Sequence, residues 1–277
     1  MNKVLASIDK ALAGLYDTAE LESVKKALCL ELLGINRISY YTKEVLAPDA
    51  ERDGRLGNAL SRLAKGEPLQ YVLGYSPFCG LNFKVDGRVL IPRPETAELV
   101  DWVAADARES GSLLDIGTGS GCIAVTLAHR LPHWKVTGWD VSDGALEVAR
   151  ENSLLNGTDV EFSKVDILSA PALEYGLDVI VSNPPYVMEQ EKSDMENRVL
   201  CYEPHLALFV EDDDALLFYR TIAKFGRNAL SKGGSLYFEI NPLKASAMEE
   251  MLVSYGYHDV EIRLDIFGKE RMIKAIL

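Results

Sequence analysis

The tetrapeptide Asn183-Pro184-Pro185-Tyr186 closes an apolar run, Val179-Ile180-Val181-Ser182, and its residue types suit one kind of chemistry. The Asn183 side-chain oxygen and the Pro184 carbonyl are two acceptors on a backbone stiffened by two prolines. Together they can hold both N–H groups of a planar amide or aryl-amine nitrogen. Such a nitrogen is a poor nucleophile because its lone pair is delocalised. Hydrogen bonds that strengthen as it becomes positive favour the transition state over the ground state. Tyr186 can stack on the flat group and exclude water. In-line transfer of a group to that nitrogen then depends mainly on positioning, and no strong general base is needed. The plainer alternative is a rigid structural turn with Asn183 as an ordinary turn residue.

A second set of residues precedes it. Asp115-Ile116-Gly117-Thr118-Gly119-Ser120-Gly121-Cys122 follows an apolar strand and opens a helix from Ile123. Alternate glycines allow a tight turn and the close approach of a ligand to the backbone. Asp140, at the end of the next strand, stands where an acid can bind ribose hydroxyls. A dinucleotide loop would place its third glycine three residues after the second, but Cys122 occupies that position. The loop resembles that of Rossmann-like methyltransferases, in which the glycines pack under the methionine part of S-adenosylmethionine. By that resemblance Gly117, Thr118, Gly119, Ser120, Gly121 and Asp140 are cofactor-binding. Asp166 would receive the adenine amino group, and Ile167 would pack on the ring. The Asn-Pro-Pro-Tyr turn is similar to the motif of methyltransferases that act on adenine N6, cytosine N4 or a glutamine amide.

The elements that must position these residues read as alternating strands and helices from Ser112 onward. Strand-like runs are Leu113–Ile116, Lys135–Asp140, Val160–Phe162, Leu177–Val181 and Ser235–Ile240, with helical patterns such as Gly144–Leu155 and Leu216–Leu230 between them. That alternation predicts a doubly wound α/β sheet. A final hairpin is expected from His258–Arg263 and Arg271–Ile276. Residues 1–73 read as a helical domain, with Leu21, Val24, Leu28, Leu32 and Leu33 at helical spacing and Gly34 as a stop. Residues 74–91 read as a β-hairpin connection, Phe78–Val85 turning at Asp86-Gly87 into Arg88–Ile91. Residues 92–277 form the expected catalytic domain.

Composition narrows the partners. The 277 residues carry 29 Lys and Arg against 42 Asp and Glu, a net charge of −13. Duplex DNA calls for a basic face, so direct nucleic-acid binding is not expected and a basic protein partner fits better. No apolar run spans a bilayer, and the early Asp9 argues against a secretory leader. The four cysteines form no CxxC pair, which favours a reduced, cytoplasmic protein. His129 and His133 are separated by the helix-interrupting Pro132, so no metal site is expected. Glu211-Asp212-Asp213-Asp214 reads as a solvated charge run.

Several stretches together resemble the release-factor glutamine methyltransferase family. They are Gly66–Tyr71, Val89–Thr96 with its Pro-Arg-Pro-Glu-Thr segment, Leu114–Cys122, Val181–Tyr186 and Tyr202-Glu203-Pro204. The resemblance spans nearly the whole chain. It implies a Rossmann-like S-adenosylmethionine-dependent methyltransferase with a small N-terminal helical domain. The implied partners are peptide chain release factors, whose Gly-Gly-Gln glutamine would be methylated on N5. It also implies that Arg93, Glu95 and Thr96 border the cofactor with Asn183, while Asn183, Pro184, Pro185 and Tyr186 hold the glutamine as catalytic and substrate-binding residues. Two departures stand out: Asn241-Pro242-Leu243-Lys244 replaces a Gly-containing stretch, and Ala97 stands where an acid is common. The competing readings are a DNA adenine-N6 methyltransferase and a catalytically silent S-adenosylmethionine-binding translation factor.

Overall fold

The computed structural model describes residues 1–170 and 176–277. The chain divides into two compact units, Met1–Tyr75 with Glu196–Tyr202, and Ser76–Met195 with Glu203–Leu277.

The first unit is helical, with Asn2–Leu12, Thr18–Ala27, Arg37–Tyr41, Ala50–Leu63 and Leu69–Leu73. Its helix starts are written locally. Asp17, Asn36 and Asp49 each accept from the backbone N–H three residues on, satisfying donors that the first turn leaves open. Leu56, Ala59, Leu60 and Leu63 recur along one face of their helix and are buried. They pack with Ile8, Leu12, Val24 and Leu28. The short helix Asn197–Tyr202 belongs here, not with the sheet to which sequence order assigned residues 92–277. Arg198 Nη1 pairs with Glu20 Oε1 at 2.7 Å and its guanidinium covers the Tyr16 ring. The Tyr202 hydroxyl donates to the Lys65 carbonyl at 2.9 Å. Such pairings across distant sequence leave no periodic trace.

The strands are β1 (Tyr75–Phe78), β2 (Leu81–Lys84), β3 (Gly111–Ile116), β4 (Trp134–Asp140), β5 (Val160–Lys164), β6 (Leu177–Ser182), β7 (Val187–Met188), β8 (Phe209–Val210), β9 (Leu230–Glu239), β10 (His258–Leu264) and β11 (Glu270–Ile276). One seven-stranded sheet runs β10-β11-β9-β6-β3-β4-β5. It is parallel from β5 to β9, with β11 and β10 added antiparallel as the expected terminal hairpin. Helices Pro94–Asp106 and Cys122–Arg130 cover one face, setting Leu99, Trp102 and Leu127 against Val136, Val179 and Val181. Helices Leu217–Ala229 and Ala245–Ser254 cover the other, setting Ile222, Met248 and Leu252 against Ile180, Leu236 and Phe238. The strands grow outward from β3 in one direction and from β6 in the other. Their junction is the switch point at which open α/β sheets bind ligands.

The hairpin near residue 80 differs from the sequence expectation. Its turn is Cys79-Gly80, where φ is 49° and 83°, the paired positive values that the twist of a two-residue hairpin favours. Asp86-Gly87 makes a side-chain-stabilised turn instead. Asp86 accepts from the Arg88 backbone at 3.1 Å and from its guanidinium at 2.7 Å, and Arg88–Ile91 is not a strand. No helix among the described residues is long and apolar enough to cross a membrane.

Candidate active site

Strand register builds the site. Ile116 aligns with both Trp139 and Ser182, and Ser182 aligns with Phe238. One step further on, Gly117, Asp140, Asn183 and Glu239 therefore emerge side by side from four adjacent parallel strands, about 4.8 Å apart. The first three border a cavity of about 300 Å³, with Glu239 buried behind Asn183; its wall includes Gly117, Thr118, Gly119, Ser120, Asp140, Asp166, Ile167, Asn183, Pro184, Pro185, Arg93 and Thr96. Three residues expected at the site, Glu95, Gly121 and Tyr186, do not line it.

The glycines divide by role. Gly117 and Gly119 have φ of 74° and 54°, and a Cβ on either would meet nothing within 4 Å. Their backbone is therefore open to a ligand. Gly121 (φ 79°) precedes the helix Cys122–Arg130, and a Cβ there would come 3.2 Å from the Ala149 Cβ. It serves close packing.

Beneath the loop, Asp115 is fully buried. Its Oδ2 accepts from the Thr118 hydroxyl at 2.6 Å and from the Ala124 N–H at 3.3 Å. Among the described residues, Oδ1 has no hydrogen-bond partner. Burial pushes its carboxyl up to about 7, against the pull of those two donors. The folded pKa thus exceeds the unfolded one, so stability present below the unfolded pKa is lost as pH rises through about 7. Asp115→Asn cannot ionise. Its melting temperature relative to the wild type is expected to rise between pH 5 and pH 8, and a constant difference would contradict the assignment.

Asp140 closes the other side of the cavity. Its Oδ2 accepts from Gly119 N–H and its Oδ1 from Ser142 N–H, each at 2.9 Å. Burial holds its carboxyl above the usual range, opposed by these backbone donors. A carboxylate has about four lone-pair sites, so room remains for two hydroxyls. Asp166 is exposed at the rim and accepts from Leu168 N–H at 2.9 Å. Ile167 is half-buried against the core behind it.

At the β6 end, Asn183 Nδ2 lies 2.9 Å from Glu239 Oε2 and 3.3 Å from Thr96 Oγ1. Thr96 Oγ1 itself donates to Glu239 Oε2 at 2.6 Å, and the Tyr186 hydroxyl donates to Glu239 Oε1 at 3.1 Å. Burial raises the Glu239 carboxyl pKa, while Thr96, Tyr186 and the Arg271 charge pull it down. Burial, reinforced by the Glu239 charge, raises the Tyr186 phenol. Arg93 Nη2 pairs with the buried Glu203 Oε1 at 2.6 Å, and Glu203 Oε2 accepts from Ile91 N–H at 3.2 Å. The Pro-Arg-Pro segment is thereby anchored. Asn241, the first residue of the departing stretch, donates to the Tyr186 carbonyl at 3.3 Å and to Glu191 Oε2 at 3.1 Å.

Glu239 and Glu203 were missed in sequence. A lone acid ending an apolar strand was the available signal for the first, and the acid of Tyr202-Glu203-Pro204 for the second. Neither spacing points to a partner.

The residues present fit an S-adenosyl group by their own geometry: two bare glycine backbones, an acid with spare acceptor capacity, and a cavity within the ~300–1,000 Å³ of small-ligand sites. Comparisons with known proteins agree. Residues 95–205 match the model of the methyltransferase small domain, and residues 3–74 match that of the PrmC N-terminal domain. A release factor glutamine methyltransferase of Bacteroides thetaiotaomicron is 46% identical over 99% of this chain and 99% of its own. That of Flavobacterium psychrophilum is 43% identical over 96% of this chain and 95% of its own. A solved methyltransferase from Pyrococcus furiosus shares the fold, with a TM-score of 0.54 at 18% identity, covering 82% of this chain and 98% of that one. The helical unit, the glycine loop and the Asn-Pro-Pro-Tyr turn thus occur together over a full-length match, and the chain belongs to the release factor glutamine methyltransferase family.

Proposed function

We propose that this protein methylates the side-chain amide nitrogen of the glutamine in the Gly-Gly-Gln motif of peptide chain release factors. The observation that carries the reading is the Asn183-Pro184-Pro185-Tyr186 turn, emerging beside the glycine loop and Asp140 on one edge of the sheet. When bound, S-adenosylmethionine supplies an electrophilic methyl group on a sulfonium. Gly117 and Gly119 would let its chain lie on bare backbone, and Asp140 would accept from the ribose hydroxyls. Asp166 and Ile167 would meet the adenine, and Arg93 and Thr96 border the same cavity. Asn183 Oδ1 and the Pro184 carbonyl accept from the two amide N–H groups of the glutamine and turn its lone pair to the methyl carbon. These bonds strengthen as nitrogen acquires positive charge. The proton then leaves to water, because the cationic product is a strong acid.

Tyr186 also has a role besides the stacking expected of it from the sequence. Its hydroxyl is committed to Glu239 and its ring sits outside the cavity wall, so it buttresses the turn. The net charge of −13 favours a basic protein substrate over duplex DNA. The free cysteines suit a reducing cytoplasm.

The deciding experiment incubates the purified chain with a release factor and S-adenosylmethionine and maps the modified residue by mass spectrometry. One added methyl on the Gly-Gly-Gln peptide is expected. Methylation of DNA in parallel reactions, or turnover on neither substrate, would overturn the reading.

A further inference from the structure

Glu239 is a buried acid left 1% exposed at the end of β9, and three donors converge on it from two segments, the start of the helix Pro94–Asp106 and the Asn183–Tyr186 turn. Thr96 and Asn183 share Oε2, and Tyr186 takes Oε1. Thr96 and Tyr186 direct their hydroxyl protons, and Asn183 its NH2, at the two oxygens, an arrangement that suits the carboxylate, which is an acceptor only. This decides the orientation of the Asn183 amide. With Nδ2 committed to Glu239 and to the Thr96 oxygen, Oδ1 is the atom left for a substrate. Turning the amide over would set Oδ1 against a buried carboxylate, acceptor against acceptor, and would point NH2 at the donors of the substrate amide. Both ends of the flipped state are unfavourable.

We propose that Glu239 is a positioning residue: by accepting from Asn183, it holds Oδ1 outward as the acceptor for the substrate amide N–H, and through Tyr186 it steadies the same turn. The proposal rests on the functional reading above. Hydrogen-bond acceptance and reach carry the effect, not charge. A glutamine keeps the reach and offers one acceptor oxygen to Asn183 and Thr96, with its NH2 facing the Tyr186 oxygen. An aspartate keeps the charge but retracts the acceptor by one methylene.

The test compares Glu239→Gln, Glu239→Asp and Glu239→Ala in the full chain. For Glu239→Gln, kcat is expected to stay within about tenfold of the wild type. For Asp and Ala it falls by about 10²-fold, the effect of a misplaced reacting group. Release-factor KM and the cofactor Kd, measured by calorimetry, stay close to wild type in all three. In an Asn183→Ala background, Glu239→Ala costs much less than its own 10²-fold, because the Asn183 interaction is already gone and only the support through Tyr186 is left to lose. Asp retaining more activity than Gln, or losses that multiply in the double variant, would overturn the proposal.

A readout independent of turnover separates this proposal from the functional one. The Asn183 side-chain NH2 protons, followed by NMR, should exchange slowly in the wild type and Glu239→Gln and rapidly in the other two. Equal exchange in all four proteins refutes the positioning role. A wild type inactive on release factors refutes the functional reading instead.

Discussion

Asn183→Ala is expected to lower kcat by about 10²–10³-fold, the loss typical of removing one preorganised group that meets developing charge. Two of its consequences are local. The substrate amide loses the acceptor for one N–H, and rotation about its side chain no longer keeps the lone pair in line. Glu239 retains Thr96 and Tyr186 as donors, so the buried carboxylate is not stranded and the fold should hold. Cofactor affinity should change less than kcat, because Asp140 emerges from β4, across β3 from Asn183, and the glycine loop presents its own backbone. Single-turnover kinetics with calorimetric cofactor titration check both halves. Retained turnover, or a cofactor Kd weakened in proportion to kcat, would show that Asn183 does not hold the substrate.

Asp140→Ala is expected to produce the opposite pattern, weakening the cofactor by about 10²-fold or more. Hydrogen bonds to a charged group are worth roughly 1.5–3 kcal/mol each, and two ribose hydroxyls would be lost. The substitution also strips the acceptor from Gly119 N–H and Ser142 N–H, so the loop itself slackens. Calorimetry with the cofactor and with its demethylated product measures the change. At saturating cofactor kcat should largely recover, which Asn183→Ala cannot do. A Kd near wild type would remove Asp140 from the site.

Local chemistry made much of this protein legible. The structure shows how local the helix starts are: the caps at Asp17 and Asp49 are complete within three residues. The alternation of apolar strands and amphipathic helices identifies the sheet because burial on each face imposes a period. The glycine loop and the proline-stiffened turn are contiguous, so their residue types alone define what they can bind. The Asp86-Gly87 turn misled because an Asp-Gly pair suits more than one turn. The hairpin turns instead at Cys79-Gly80, where both residues take positive φ.

By itself, then, the sequence determined most of the elements, the glycine loop, the proline-stiffened turn and the family. Each is encoded in neighbouring residues, or in a match over the whole chain. Only the tertiary structure decided which side chains act on them. Strand register set Glu239 beside Asn183 from a strand 56 residues distant. The packing of helix and loops brought Thr96 and Tyr186 to the same carboxylate and paired Glu203 with Arg93. It also assigned the Asn197–Tyr202 helix to the N-terminal unit. The physical reason is common to all of them: a buried ion or amide chooses its partner by proximity after folding, and proximity between distant segments has no period in the chain.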